Sequence, residues 1–477
     1  MVGFMTQRKW LVLAVTSVAV FMSFLDATIV NIAFPSIRST FATAGLSELS
    51  WVINAYNIVF ASLLVPAGRL ADRVGRKRVF LGGVVLFLAA SVACGLAPTV
   101  SVLIAARAVQ AVGAAALVPT SLGLLLPEFP LEQRATATAL WGATGGIAAA
   151  TGPALGGVLI DAFDWRAVFF VNLFIGLPAL IPARRLLREL REEHAAAFPS
   201  PLAIALLIGT IGALSLGIVE GGQWGWQSNR ILGTLVAAGA LGAVFVAHSA
   251  RSRRPLIELS LFRVRSFAVA TLGAFIFALS FFALLLSNAL FLTGVWHYST
   301  LRAGIALTPG PLMATACSPL AGRLADRFGQ RFVALPGGIV FALGTLLFAT
   351  RVGGAPHYAS AFLPATLLTG AGVGLTFGGF ASAAVAELPS DRFSTGSGIF
   401  SMFRQLAAVV GIAILVALLN AGGATVTTFH HIWALMIAGG VGSALAALAL
   451  GRVRARHVKT VDDLAVDIFE AEAVLTD

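Results

Sequence analysis

Apolar positions in this chain gather into long continuous runs, without the strict alternation of strands. A membrane-crossing helix needs about 20 mostly apolar residues. Fourteen such runs are predicted, near 10–33, 49–68, 79–97, 102–126, 136–160, 165–183, 201–220, 231–250, 266–292, 302–321, 332–350, 359–385, 397–420 and 431–451. Their continuity excludes a transmembrane β-barrel, whose strands alternate. The first run follows Arg8 and Lys9 and reaches Ala33, too long for the core of a signal peptide. It reads as a retained first span.

Composition supports this reading. Of 477 residues, 58% are hydrophobic and 11% charged. A soluble domain carries about 25% charged residues. Too little polar side chain is present to cover a water-facing surface, so soluble enzyme, nucleic-acid binder and disordered chain are excluded. The net charge of +11 is a topology signal. With a cytoplasmic N-terminus, the inner loops and tails hold 25 of the 32 Lys and Arg. The outer loops then hold only Arg38, Arg166, Arg230, Arg302 and Arg351. Positive residues concentrate on the cytoplasmic side of membrane proteins, which places both termini there in a cell membrane. Tryptophans such as Trp10, Trp51, Trp165, Trp296 and Trp433 fall near span ends, as an interfacial belt requires. Cys94 and Cys317 lie inside apolar runs and define neither a disulfide framework nor a metal site.

The sequence GRLADRVGRKRV at 68–79 returns as GRLADRFGQRFV at 322–333, identical at eight of twelve positions. Each copy joins two spans on the inner side. Duplicated halves mark secondary transporters, whose substrate site lies between the repeats. The offset implies two six-helix halves, 1–186 and 263–451. A linker at 187–262 carries two additional spans, and a tail follows at 452–477.

Here the chain resembles the major facilitator superfamily, and within it the fourteen-span drug:proton antiporters. The loop motif is that superfamily's signature. LDATIVNIAFP at 25–35 is similar to the first-span motif of those antiporters. Arg107, Gln110 and Gly113 match the fourth-span motif, with Ala111 in place of a usual glycine. Gly152, Pro153, Gly156 and Gly157 match the fifth-span antiporter motif, and Arg404-Gln405 also fits the family. The resemblance implies an all-α integral membrane protein of the major facilitator fold that expels drugs by exchange for protons. It also implies that the fifth helix seals against its counterpart in the other half.

The residues support the same chemistry. Asp26 is the sole acid near the middle of any predicted span. An unpaired carboxylate in hydrocarbon is costly, and such residues mark ion or proton pathways. Arg107, within the fourth span, is its candidate partner, with Gln110 one turn on along the same face. Asp26 and Arg107 are therefore the expected proton-coupling pair, opened when a proton or a cationic substrate displaces the arginine. In the loop motif, Gly68 permits close helix approach and Gly75 a tight turn. Asp72 is expected to meet the positive end of the helix starting near Ser397. Asp326 would do the same for the fifth span, while Arg73, Arg76 and Lys77 anchor the inner surface. Together they would form a latch between the halves.

Asn54, Tyr56, Asn57, Gln110, Trp141 and Asn288, with Phe281 and Phe282, are candidate walls of a substrate cavity. A broad apolar cavity with one acid suits lipophilic cations. The tenth span carries no acid between Ala303 and Gly322, so monocations or neutral lipophiles are expected over dications. His430-His431 reads as a solvated pair. The tail's Val461, Leu464 and Ile468 could form a short amphipathic helix. No phosphate-binding loop, catalytic carboxylate pair or metal cluster is evident, so no enzyme activity, cofactor, metal or nucleic-acid partner is expected. The expected function is proton-driven export of lipophilic, cationic compounds by a monomer in the bilayer. An exporter of an endogenous metabolite or lipid, or a non-transporting receptor or scaffold, are the alternatives.

Overall fold

A computed structural model describes residues 2–191, 198–252, 255–388 and 392–451; the side chains of 2–7, 131, 132, 134–136, 139, 326, 393 and 394 are outside that description. The 452–477 tail, with its expected amphipathic helix, lies outside the described residues. So does the Asp326 side chain. The N-terminal half comprises α1 (Val2–Thr40), α2 (Leu46–Val74), α3 (Arg76–Gly95), α4 (Val100–Leu125), α5 (Leu131–Ala162) and α6 (Ala167–Leu186). Two intervening helices follow, α7 (Pro201–Trp224) and α8 (Asn229–Arg251). The C-terminal half comprises α9 (Arg265–Gly294), α10 (Thr300–Leu307), α11 (Pro309–Phe328), α12 (Arg331–Arg351), α13 (Leu363–Ala386), α14 (Phe393–Gly422) and α15 (Val426–Leu450).

Among the described residues, thirteen helices are individually long and apolar enough to cross a membrane. The predicted tenth span is divided between α10 and α11. Pro309 and Pro311 lack amide donors and interrupt the helical hydrogen bonds there. Thr308 keeps right-handed helical geometry (φ −58°, ψ −37°), so the two pieces continue one crossing. Side-chain caps start four helices on the same face: Thr99, Ser228, Ser299 and Thr425 accept from the amides of Val102, Ile231, Arg302 and Thr428. This face lies opposite the basic loops.

The apolar core is divided unevenly. Toward the capped face, one continuous cluster joins both halves: Ile29–Ile37 of α1, Leu49–Ile53 of α2, Leu284–Leu292 of α9 and Ile412–Leu419 of α14 all contribute. Toward the basic face the core splits. One cluster holds N-terminal-half residues, including Val12–Met22, Phe80–Leu88 and Leu117–Leu125. The other is built on α9, α13 and α14, with Ala61 and Val65 of α2.

Glycine contacts locate the seam. A Cβ on Gly157 would come within 2.7 Å of the Leu301 Cα and 2.9 Å of the Thr300 carbonyl oxygen, and one on Gly304 would overlap the Pro153 carbonyl. The α5 and α10 backbones therefore meet near the capped face. Toward the basic face, a Cβ on Gly142 of α5 or Gly322 of α11 would meet open space. On this side α5 meets α10 near the capped face and α11 at mid-helix, where a Cβ on Gly146 would come within 2.6 Å of the Thr315 hydroxyl oxygen, and the glycines nearer the basic face have no such neighbour.

On the other side, α2 and α14 stay packed, and α7 lies across them. Ser47 ties all three together. Its hydroxyl approaches the Val219 carbonyl of α7 at 3.5 Å and accepts from Gln223 (3.2 Å) and from Asn420 of α14 (2.9 Å). Among the two intervening helices, α7 thus fastens this seam through Val219 and Gln223.

A Gly157→Leu substitution should force α5 from α10, since overpacking a tight contact costs about 1–3 kcal/mol. The expected result is faster labelling of Ala303→Cys, a buried position, by an impermeant maleimide applied to the capped face. Unchanged labelling would count against the seam described.

Candidate functional site

The most deeply buried polar cluster is built on α1, α3, α4 and α6. Asp26 is fully buried and Arg107 is 1% exposed. Nη1 of Arg107 donates to Oδ2 of Asp26 at 2.5 Å and to Oε1 of Gln110 at 2.7 Å. Nε donates to the Val52 carbonyl of α2 at 3.2 Å. The second carboxylate oxygen of Asp26 accepts from Gln110 Nε2 (2.9 Å) and from Asn172 Nδ2 (3.3 Å). Ser91 of α3 accepts from both of those amides and donates to the Phe169 carbonyl at 2.8 Å. The guanidinium lies 4.0 Å from the Tyr56 ring centre. The carboxylate therefore accepts from three donors, one of them its countercharge, which offsets the desolvation of both ions.

Local sequence explains the placement. On α1, Met22 and Asp26 share a face one turn apart. A Cβ on Gly176 of α6 would come within 2.7 Å of the Met22 sulfur, so this face is turned into the N-terminal half. Phe24, Thr28 and Ile32 instead meet α5, where a Cβ on Gly145, Gly152 or Gly156 would press on them. A Cβ on Gly113 would come within 2.7 Å of the Phe87 amide nitrogen. That close approach of α3 and α4 brings Ser91 beside Gln110.

The sequence-predicted site residues fall into three groups. Asp26, Arg107, Gln110 and Tyr56 form this one cluster. Gln110 and Tyr56 belong to it as buried partners of the ion pair. Asn288 is likewise engaged in packing, as its Oδ1 accepts from Trp433 Nε1 at 3.2 Å. Trp141 is half-buried and donates to Ser121 of α4 at 3.0 Å. Asn54 and Asn57 are buried, and neither amide atom of Asn54 has a hydrogen-bond partner. In the fifth-helix motif, Gly152 and Gly156 pack on α1, while Pro153 and Gly157 face α10.

The loop motif is engaged within its own half and with the linker. Gly75 has φ +124°, and a Cβ there would also collide with the Glu189 carboxylate. The Glu189 carboxylate accepts from the Lys77 amide at 3.1 Å and lies 3.6 Å from Arg78, so it caps α3. Asp72 was expected to reach α14; its carboxylate accepts from Arg76 at 2.9 Å, one turn away. Arg76 also donates to the Gly123 carbonyl of α4. Arg73 is exposed. Gly68 stands 3.5 Å (Cβ distance) from Pro119, an ordinary contact. Arg69 connects this loop to the segment leading into the C-terminal half, through Glu258 at 3.6 Å and the Pro255 carbonyl at 3.3 Å. The His430-His431 pair is not simply solvated, because His430 Nε2 lies 2.7 Å from the Val352 carbonyl.

Sequence reasoning did not identify Asn172, Ser91, Glu189 or Arg69 as partners. Asn172 and Ser91 carried one visible signal: each is a polar residue within a predicted apolar run. Nothing in the sequence indicated that both face Asp26.

Comparison with known proteins agrees with this architecture. A family model described as Major Facilitator Superfamily matches residues 16–412 and, in a second overlapping match, 270–466. The multidrug resistance protein Stp of Mycobacterium tuberculosis is 37% identical over 421 residues, covering 87% of this chain and 77% of that protein. A probable actinorhodin transporter of Streptomyces coelicolor is 34% identical over 421 residues, covering 86% and 72%. Among solved structures, a POT family transporter in complex with 5-aminolevulinic acid superposes with a TM-score of 0.66 at 14% identity, covering 92% of this chain and 96% of that one.

Removing one member of a buried ion pair costs about 3–5 kcal/mol, because the other charge is left uncompensated. Arg107→Gln should therefore lower the melting temperature of the purified protein more than the double variant Asp26→Asn/Arg107→Gln. A double variant less stable than the single one would contradict the pairing.

Proposed function

The chain belongs to the Major Facilitator Superfamily, and we propose that it expels lipophilic drugs or toxic compounds in exchange for protons by alternating access. The observation that carries this reading is the sealed cluster of Asp26, Arg107, Gln110 and Asn172. A fully buried carboxylate can be neutralised either by its arginine or by a proton, and the choice between them couples helix arrangement to proton binding. Two relatives named for drug resistance or transport support efflux as the direction of the process.

In this reading the basic face is cytoplasmic, both termini lie on that side of the cell membrane, and the chain works as a monomer. Compounds enter between α5 and α11 while Asp26 is paired with Arg107. The α5–α11 seam then closes, and the Gly157–Leu301 contact opens. The rearrangement separates α1 from α4, so that a proton from outside takes the arginine's place on Asp26. Return of the pair on the inner side expels the proton. The proton gradient is the sole energy source, and no cofactor takes part. Gly68, Asp72, Arg73, Gly75, Arg76 and Asp326 act as the inner-surface latch, with Glu189 and Glu258 as its partners.

The expected preference for cations needs Asp26 to be reachable from the cavity. Instead a cationic substrate would have to displace Arg107, Gln110 and Asn172 together. We therefore assign Asp26 to the proton alone, so substrate charge must be read by another group.

Asp26→Asn should abolish accumulation of lipophilic dyes in everted vesicles driven by a pH gradient, while the purified protein still binds them. Asp26→Glu should retain part of the transport. Gradient-driven accumulation by Asp26→Asn at the wild-type rate would refute the assignment.

A further inference from the structure

The spans contain a second arginine whose surroundings are the reverse of Arg107's. Arg404 lies eleven residues into α14, roughly 16 Å along the helix from its basic-face end. Its Nε is sealed from solvent and has no hydrogen-bond partner. Among the described residues no carboxylate lies within ion-pairing distance of it. Its one close aromatic contact is with Phe377 of α13, 5.4 Å from guanidinium carbon to ring centre. Asp26, the one acid at comparable depth, is fully committed to Arg107. An uncompensated guanidinium at membrane depth is costly and marks a functional group.

The wall beside Arg404 is aromatic. Phe377 packs edge-on against Phe281 of α9 at 5.6 Å, and Phe281 against Phe282 at 5.0 Å. All three rings are half-buried. Half-buried aromatic rings beside a cation offer apolar surface to a planar aromatic guest. Guanidinium matches the planar geometry of a carboxylate and can hold it by two parallel hydrogen bonds. Arg404 is part-exposed, and the positive residues of the basic face draw anions toward that end of the helices.

We propose that Arg404 is the substrate-charge site of the cavity, receiving the anionic group of a planar aromatic acid whose ring lies against Phe377 and Phe281. This rests on the efflux reading above and names its substrate class. Charges are thereby divided between the halves: Asp26 in the N-terminal half handles the proton, and Arg404 in the C-terminal half holds the substrate anion.

The test uses the purified full-length chain and three radiolabelled probes of one shape: naphthoate, naphthamide and naphthylmethylammonium. Naphthoate should bind at least about tenfold more tightly than the other two, the scale expected for a charge-assisted hydrogen-bonded pair. Arg404→Gln should erase that preference, and Arg404→Lys should keep part of it, which separates loss of charge from loss of folding. Equal affinities, tighter ammonium binding, no saturable naphthoate binding, or an intact preference in Arg404→Gln would each overturn the proposal. Asp26→Asn distinguishes the two readings. It should keep the Arg404-dependent naphthoate preference but lose gradient-driven naphthoate transport in everted vesicles. If wild-type vesicles transport naphthoate without regard to the gradient while the preference persists, proton coupling fails and the Arg404 site stands.

Discussion

The rest of the structure depends on how a carboxylate and a guanidinium can be kept in hydrocarbon. Neither ion is tolerable alone at that depth, and together they are tolerable only if their remaining polar atoms are also satisfied. The fold meets that condition with five helices, α2 contributing the Val52 carbonyl that accepts from Arg107 Nε. Asp26 on α1 faces Arg107 and Gln110 on α4, Ser91 on α3 and Asn172 on α6. Close approach of α3 and α4 at Gly113 is what makes the distances short enough. The N-terminal half is thereby organised around one pair, and any motion of α1 relative to α4 must either open it or carry it along.

The two halves meet differently on the two sides of the molecule. Between α2 and α14 the contact is maintained, with α7 tied across it through Ser47, Gln223 and Asn420. Between α5 and the α10–α11 crossing, contact is tight near the capped face and at mid-helix, where a Cβ on Gly146 would come within 2.6 Å of the Thr315 hydroxyl oxygen, and a Cβ on Gly142 or Gly322, nearer the basic face, meets nothing within 4 Å. One seam is tied by side-chain hydrogen bonds and the other by close backbone approach. The interruption at Pro309 and Pro311 lies on the second of these seams, where a crossing able to bend is useful. Arg69, bound to Glu258 and the Pro255 carbonyl, places the first copy of the repeated motif in contact with the approach to the C-terminal half.

Much of this was legible from residue order. Apolar runs placed the spans, and the isolation of Asp26 and Arg107 pointed to a contact that the structure forms. Less legible were features that depend on which face of a helix is turned inward. Tyr56 and Asn288 look like cavity residues in sequence. Tyr56 lies beneath the guanidinium and Asn288 is bound to Trp433. Asn172 is 146 positions from Asp26, and an isolated asparagine in a span carries no indication of its partner. Asp72 reads as a bridge to the other half, yet its nearest basic partner is Arg76 on the next turn. Arg404 matched a family habit, but that it has no carboxylate partner among the described residues is visible only once neighbouring helices are in place.

The central claim is that the Asp26–Arg107 pair must break before a proton can take the arginine's place on the carboxylate. Infrared difference spectroscopy of the carboxyl stretch at neutral pH, with Asp26→Asn to assign the band, tests it most directly. Wild-type protein should show no protonated-carboxyl signal from Asp26, and Arg107→Gln should show one that disappears in Asp26→Asn/Arg107→Gln. A protonated Asp26 band already present in the wild type, or none in Arg107→Gln, would contradict the account.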